Sequence, residues 1–139
     1  MKQIDHYEIS VPANSLTCLG QTVTVTACAT NTNPCDSVAT GVGTLSNPEV
    51  ATLTTDKPAA VISNAGLVGG VGTATLSYPL ATDGTQVLVS ITTPPVPATR
   101  VPTCNTTCTT TFNNEGFIFS DSKGSPAGPN IQLDVPAQV

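Results

Sequence analysis

Residues 72–92, GTATLSYPLATDGTQVLVSIT, hold two runs in which apolar and small polar side chains alternate. Ala74, Leu76 and Tyr78 alternate with Thr73, Thr75 and Ser77; Val87, Val89 and Ile91 alternate with Gln86, Ser90 and Thr92. A period of two sends one set to a buried face and the other to water, as in half-buried antiparallel strands. Between the runs, Pro79, Asp83 and Gly84 supply turn chemistry: a fixed φ, a side-chain cap and a permissive φ. The spacing predicts a strand pair forming one wall of a sandwich.

The same alternation recurs along the chain. Over residues 4–11, Tyr7, Ile9 and Val11 share one face, and His6, Glu8 and Ser10 the other, with Pro12 to Ser15 ending the strand. Over 21–29, Val23, Val25 and Ala27 alternate with Thr22, Thr24, Thr26 and Cys28. Weaker strand signals lie at 41–45, 50–54 and 60–63, followed by a glycine-rich loop at 64–72. Residues 93–103, TPPVPATRVPT, carry four prolines and predict an exposed connection rather than a central strand. A last strand pair is expected at 107–113 and 116–120. No window shows the 3.6-residue apolar period of a helix. About seven short strands separated by turn signals describe an all-β, immunoglobulin-like antiparallel sandwich over residues 1–120. Residues 121–139 read as a linker or extra strand leading to a further region.

Charged residues make up 9% of the chain, against about 25% in a typical soluble protein, so Thr, Ser, Asn and Gly must cover the surface. Lys2, Lys57, Arg100 and Lys123 are scattered and the net charge is -5. That argues against nucleic acid, whose binding needs clustered cations. No stretch is long and apolar enough to predict membrane insertion. Five cysteines point to an oxidising compartment, yet no apolar leader follows Met1. The chain therefore reads as an excised piece of a longer exported protein. Tyr7, Tyr78, Phe112, Phe117 and Phe119 all fall in strand-like runs and are expected in the core rather than as a sugar-stacking platform.

Cys28 and Cys35 flank a short polar loop and are the preferred disulfide pair. Cys104 and Cys108 enclose three residues as a second ring; alternatively, Cys108 ties to Cys18. One cysteine is left over, available to a part of the parent protein. Zinc on Cys104 and Cys108 with Cys28 or Cys35 is disfavoured by the single histidine and the lack of CxxC pairs. His6 lacks a nucleophile elbow of the GxSxG kind and is expected as an exposed strand residue. Residues 69–72 are glycine-rich but lead into a strand, so they lack the helix dipole that holds phosphate. The loop 31–36 offers oxygens without the spacing of a calcium loop, and Asn105-Thr106-Thr107 is a bare glycosylation pattern. No catalytic residue, cofactor or metal is expected.

The ordered set Asp5-His6-Tyr7-Glu8-Ile9-Ser10, Cys18-Leu19, TVTVTACA closing on Cys35, residues 72–92, Cys108 to Asn113 and Gly116 to Ser120 resembles a region of MshQ-like proteins. These are large bacterial surface proteins associated with the mannose-sensitive haemagglutinin type IV pilus. Residues 41–70 match loosely, and 93–104 depart from the family's cysteine pattern. The resemblance implies an exported, cell-surface adhesin in which this domain accompanies others, including lectin-like modules. Three roles follow as expectations: a structural spacer beside neighbouring domains or pilus subunits; a tip domain binding a host glycan or receptor; and a filament subunit donating the strand around Ile131, Leu133 and Val135. An enzyme is not expected.

Overall fold

A computed structural model describes residues 3–114 and places ten strands in two five-stranded sheets, with no helix among the described residues. Numbered in chain order, sheet one runs β5 (Val61–Ile62), β7 (Val71–Ser77), β3 (Gln21–Cys28), β1 (His6–Ser10), β9 (Thr103–Cys104). Sheet two runs β2 (Asn14–Leu16), β10 (Thr109–Asn113), β8 (Thr85–Thr93), β4 (Glu49–Thr55), β6 (Ala65–Leu67). The expected strands at 116–120 and 131–135, and the boundary at 120, lie outside the described residues.

The all-β expectation holds, and alternation does set what is buried. Tyr7, Ile9, Val23, Val25, Ala27, Ala74 and Leu76 from sheet one join Ala51, Leu53, Val87, Val89 and Phe112 from sheet two in one core. Tyr78 closes it, its ring edge-on to Phe112 at 5.7 Å between centroids.

The strand pair of residues 72–92 is a correction. β7 belongs to sheet one and β8 to sheet two, so the chain crosses between the sheets there instead of turning a hairpin. Seven residues separate the strands, and Ala81 within them is buried, which makes the connection part of the core's end cap. Nor are the sheets purely antiparallel: β1 pairs parallel with β9, and β2 parallel with β10. The second parallel pair arises because Pro12, with no N–H to offer β3, does not end the strand region but moves it. Residues 14–16 resume as β2 in the opposite sheet.

One other expectation fails and one is refined. Residues 41–45 form no strand; Val42 is fully buried, but in a turn whose geometry depends on Gly43 at φ +83°. The proline-rich 93–103 is not merely an exposed connection. Val96 and Ala98 pack against the core, and Thr103 opens the edge strand β9.

Asp56 fastens the start of β8's outer course. Its Oδ1 accepts from Leu88 N at 2.8 Å, and its own N–H donates to Leu88 O at 3.2 Å. The hydrogen bond from Leu88 holds the Asp56 carboxyl below its ordinary 3.8, with Lys57 adding to it. Because the folded value is the lower one, this stabilisation is complete above 3.8 and is lost as pH falls through the folded value. Urea midpoints measured across pH should therefore be flat down to about 5 and fall in acid, with Asp56→Asn making the acid limb shallower. An unchanged acid limb in that variant would contradict the assignment.

Candidate functional site

On strand β1 the outward side chains are His6, Glu8 and Ser10. Exposure was expected for them, yet His6 is 2% and Glu8 7% exposed. The cause is the loop after β3, residues 30–37, which folds back over the outer face of sheet one. Its base is closed by a disulfide between Cys28 and Cys35. The register His6↔Cys28 sets the imidazole beside that staple. Glu8 Oε2 accepts from Cys35 N at 2.7 Å, and Asn33 Nδ2 donates to Cys104 O at 3.2 Å, so the loop straps β3 across β1 to β9.

The strap's oxygens are used internally. Thr30 and Thr32 hydroxyls donate to Asp36 Oδ1 at 2.8 and 2.6 Å, and these hydrogen bonds hold the Asp36 carboxyl below its ordinary range. Beside the strap, His6 Nδ1 donates to Asp5 Oδ1 at 2.8 Å and Arg100 Nε to Asp5 Oδ2 at 3.2 Å. The His6 hydrogen bond first, and then Arg100, lower the Asp5 carboxyl. His6 Nε2 and Thr103 Oγ1 are buried with no hydrogen-bond partner among the described residues. A strand-alternation rule cannot see such a strap. The legible signal was a cysteine closing a loop rich in turn formers directly after a strand.

Removing the strap's staple should be costly for its size. A Cys28→Ala/Cys35→Ala double variant is expected to lose about 2–3 kcal/mol of unfolding free energy from loop closure. Amide exchange at residues 6–8 should accelerate alongside it. Unchanged exchange there would show that the strap does not protect β1.

The other cysteines separate into a second staple and a free thiol. Cys104 is bonded to Cys108, linking β9 in sheet one to the approach of β10 in sheet two. Asn105 N donates to Ile9 O at 2.9 Å and Val89 N to Cys108 O at 2.9 Å, so both sheets hold this ring. Beside it Ile9, Val89, Ser90, Ile91, Pro102 and Cys108 line a cleft of about 210 Å³ of mixed polarity. Cys18 is free and exposed in the turn between β2 and β3. Four of the cysteines stand in disulfides, and no group of three His, Cys, Asp or Glu suited to a metal occurs among the described residues.

A polar notch lies at the opposite end of β1. The last β1–β3 register pair is Ser10↔Thr24, after which Pro12 leads the chain away. Ser10, Val11, Pro12, Gly20, Gln21, Thr22 and Thr24 line the resulting space of about 470 Å³. Backbone direction along β3 is fixed by two bonds: Ala27 N donates to Gly70 O on the β7 side, while Cys28 O accepts from Asp5 N on the β1 side. Groups alternate along a strand, so Thr22 turns its N–H and C=O toward the space β1 has vacated. Among the described residues, the side chains of Ser10, Gln21, Thr22 and Thr24 have no hydrogen-bond partner.

A family model described as a domain of unknown function (DUF8613) matches residues 4–96. No curated protein and no solved structure matches the chain.

Proposed function

The chain belongs to the DUF8613 family of domains of unknown function, and we propose that it is a load-bearing spacer module of immunoglobulin-like type in an exported bacterial surface or pilus-associated adhesin. The observation that carries this reading is the parallel pairing of β2 with β10, through Asn14↔Thr111, Ser15↔Phe112 and Leu16↔Asn113. The chain enters β2 at one end of the pair and leaves β10 at the other. Tension applied along the chain therefore shears the β2–β10 hydrogen bonds together instead of opening them one at a time. Thr111 N to Ala13 O and Thr17 N to Asn113 O close this patch at its two ends.

Further features support the reading. We read the orders β5-β7-β3-β1 and β10-β8-β4 as strands D-E-B-A and G-F-C of an immunoglobulin sandwich, with β2 as a displaced part of the first strand and β6 and β9 as additions to it. Two loop-closing disulfides suit an oxidising, extracellular setting, and the resemblance to MshQ-like proteins supplies the surface and pilus context. Edge strands β5, β9, β2 and β6 are two or three residues long, too short to template another chain.

Single-molecule extension of a tandem array tests this. Thr17→Pro, which removes one of the closing N–H groups, should lower the unfolding force markedly while leaving the core intact. Reducing both disulfides, with sequence separations of 7 and 4, should lengthen each unfolding step by roughly 25–30 Å at full extension. Equal unfolding forces for the parent and the Thr17→Pro protein would sink the proposal.

A further inference from the structure

We propose that the notch beside Pro12 is a subsite for a neutral saccharide. The side chains of Ser10, Gln21, Thr22 and Thr24, together with the backbone pair of Thr22, each offer both donor and acceptor capacity. None is engaged by another described residue. A sugar's hydroxyls are likewise donors and acceptors, so the two sets match without a charge on either side. No charged side chain among the described residues lines the notch, which gives a phosphate, sulfate or carboxylate nothing there to pair with. The half-exposed Pro12 ring supplies apolar surface for the C–H face of a pyranose, while Val11 is turned into the core. The space of about 470 Å³ is shallow and largely open to solvent, so a bound sugar would keep one face in water.

The rival occupant is an extended peptide adding to the open edge of β3. Strand addition draws its affinity from a run of main-chain bonds, and here only Thr22 presents a vacant pair before Ser10 resumes the ladder at Thr24. The notch therefore suits a compact polyol better than a strand. All four of its polar side chains sit on paired strands, which fixes their positions ahead of binding. Without an aromatic platform the affinity is weak, with a Kd on the order of 1 mM. This inference does not rest on the spacer role; a spacer with or without a sugar subsite shears in the same way.

The test is a titration of the ¹⁵N-labelled 139-residue protein with lactose, cellobiose, maltose and N,N′-diacetylchitobiose to tens of millimolar. Glucuronic acid and trialanine serve as comparison ligands. The expected result is saturable shifts in the amides of Ser10, Gln21, Thr22 and Thr24 with at least one neutral disaccharide. Thr24→Val, which keeps the side chain's shape, and separately Gln21→Ala should each weaken that binding about five-fold or more, in proteins whose spectra remain dispersed. No saturable shift with any of the four sugars overturns the proposal. So do shifts centred elsewhere, equal or tighter binding of glucuronate or trialanine, or unweakened binding in both variants.

Discussion

Gly43→Ala is expected to lower the unfolding free energy by about 3–6 kcal/mol, combining left-handed strain with an overlap that no rotamer relieves. Gly43 sits at φ +83°, and a Cβ there would lie 1.8 Å from Leu67 O. That carbonyl belongs to β6, whose Leu67 pairs with Glu49 at the start of β4, and Glu49 N is itself 3.0 Å from the added carbon. Gly69 N also donates to Gly43 O at 3.0 Å, so the turn cannot swing outward without breaking the 68–71 bend. The natural control is Gly84→Ala. Its φ of +86° is equally left-handed, but nothing lies within 4 Å of the new carbon, so only the conformational cost of about 1 kcal/mol should appear. Urea unfolding of both variants separates strain from overlap. Equal losses would mean that β6 shifts freely and the close approach is not a constraint. For a domain whose whole stability is about 5–15 kcal/mol, the expected loss at Gly43 is a large share of the total.

Alternation in the sequence identified which side chains fill the core because burial in a sandwich depends only on the two-residue period. It identified β1, β3, β7, β8 and β10, each at least five residues long. What it missed has a common physical origin: events on the faces and ends of sheets leave no period. β2 is three residues long, set by where Pro12 sends the chain. Val42 is buried in a turn, and Val96 and Ala98 pack in a segment whose prolines forbid a ladder without forbidding burial. The partnership of β7 and β8 was misplaced because the same seven-residue connection serves a hairpin or a sheet-to-sheet crossing. Only the packing of Ala81 and Tyr78 against the core separates the two outcomes.

The outer face of β1 shows the limit most sharply. His6 and Glu8 obey the alternation in direction, pointing away from the core, but direction is not exposure. Residues 30–37 build a second, polar layer over them, held by one disulfide and by hydrogen bonds to Glu8 and Cys104. The notch is equally invisible in one dimension, since it exists only because β1 departs while β3 continues to pair with β7 as far as Gln21↔Leu76. Sheet one is thus covered at one end of β1 and open at the other. The covered end carries the buried ionisable groups, and the open end carries unengaged neutral ones.

Tyr7→Ala should be the other most damaging single change, costing about 3–5 kcal/mol as a large buried ring is removed. Tyr7 is fully buried between the sheets, yet its hydroxyl donates to Val96 O at 2.8 Å and accepts from Val96 N at 3.2 Å. Burial raises the phenol's pKa above its ordinary 10.0, so it remains a neutral donor at physiological pH. Through these two bonds the core reaches out to the proline-rich crossover, which β1's own approach also holds: Thr99 N donates to Ile4 O and Arg100 N to Asp5 O. Tyr7→Phe keeps the ring and removes only the tether, and should cost about 1–2 kcal/mol. The two variants differ in where the damage shows. With phenylalanine, global unfolding shifts modestly while amide exchange at Val96, Thr99 and Arg100 quickens. With alanine, exchange also rises at Val25 and Val89, because the cavity lies between the sheets that carry them. If Tyr7→Phe leaves exchange at Val96 unchanged, the crossover is held by Ile4 and Asp5 alone, and the hydroxyl's role is confined to satisfying itself.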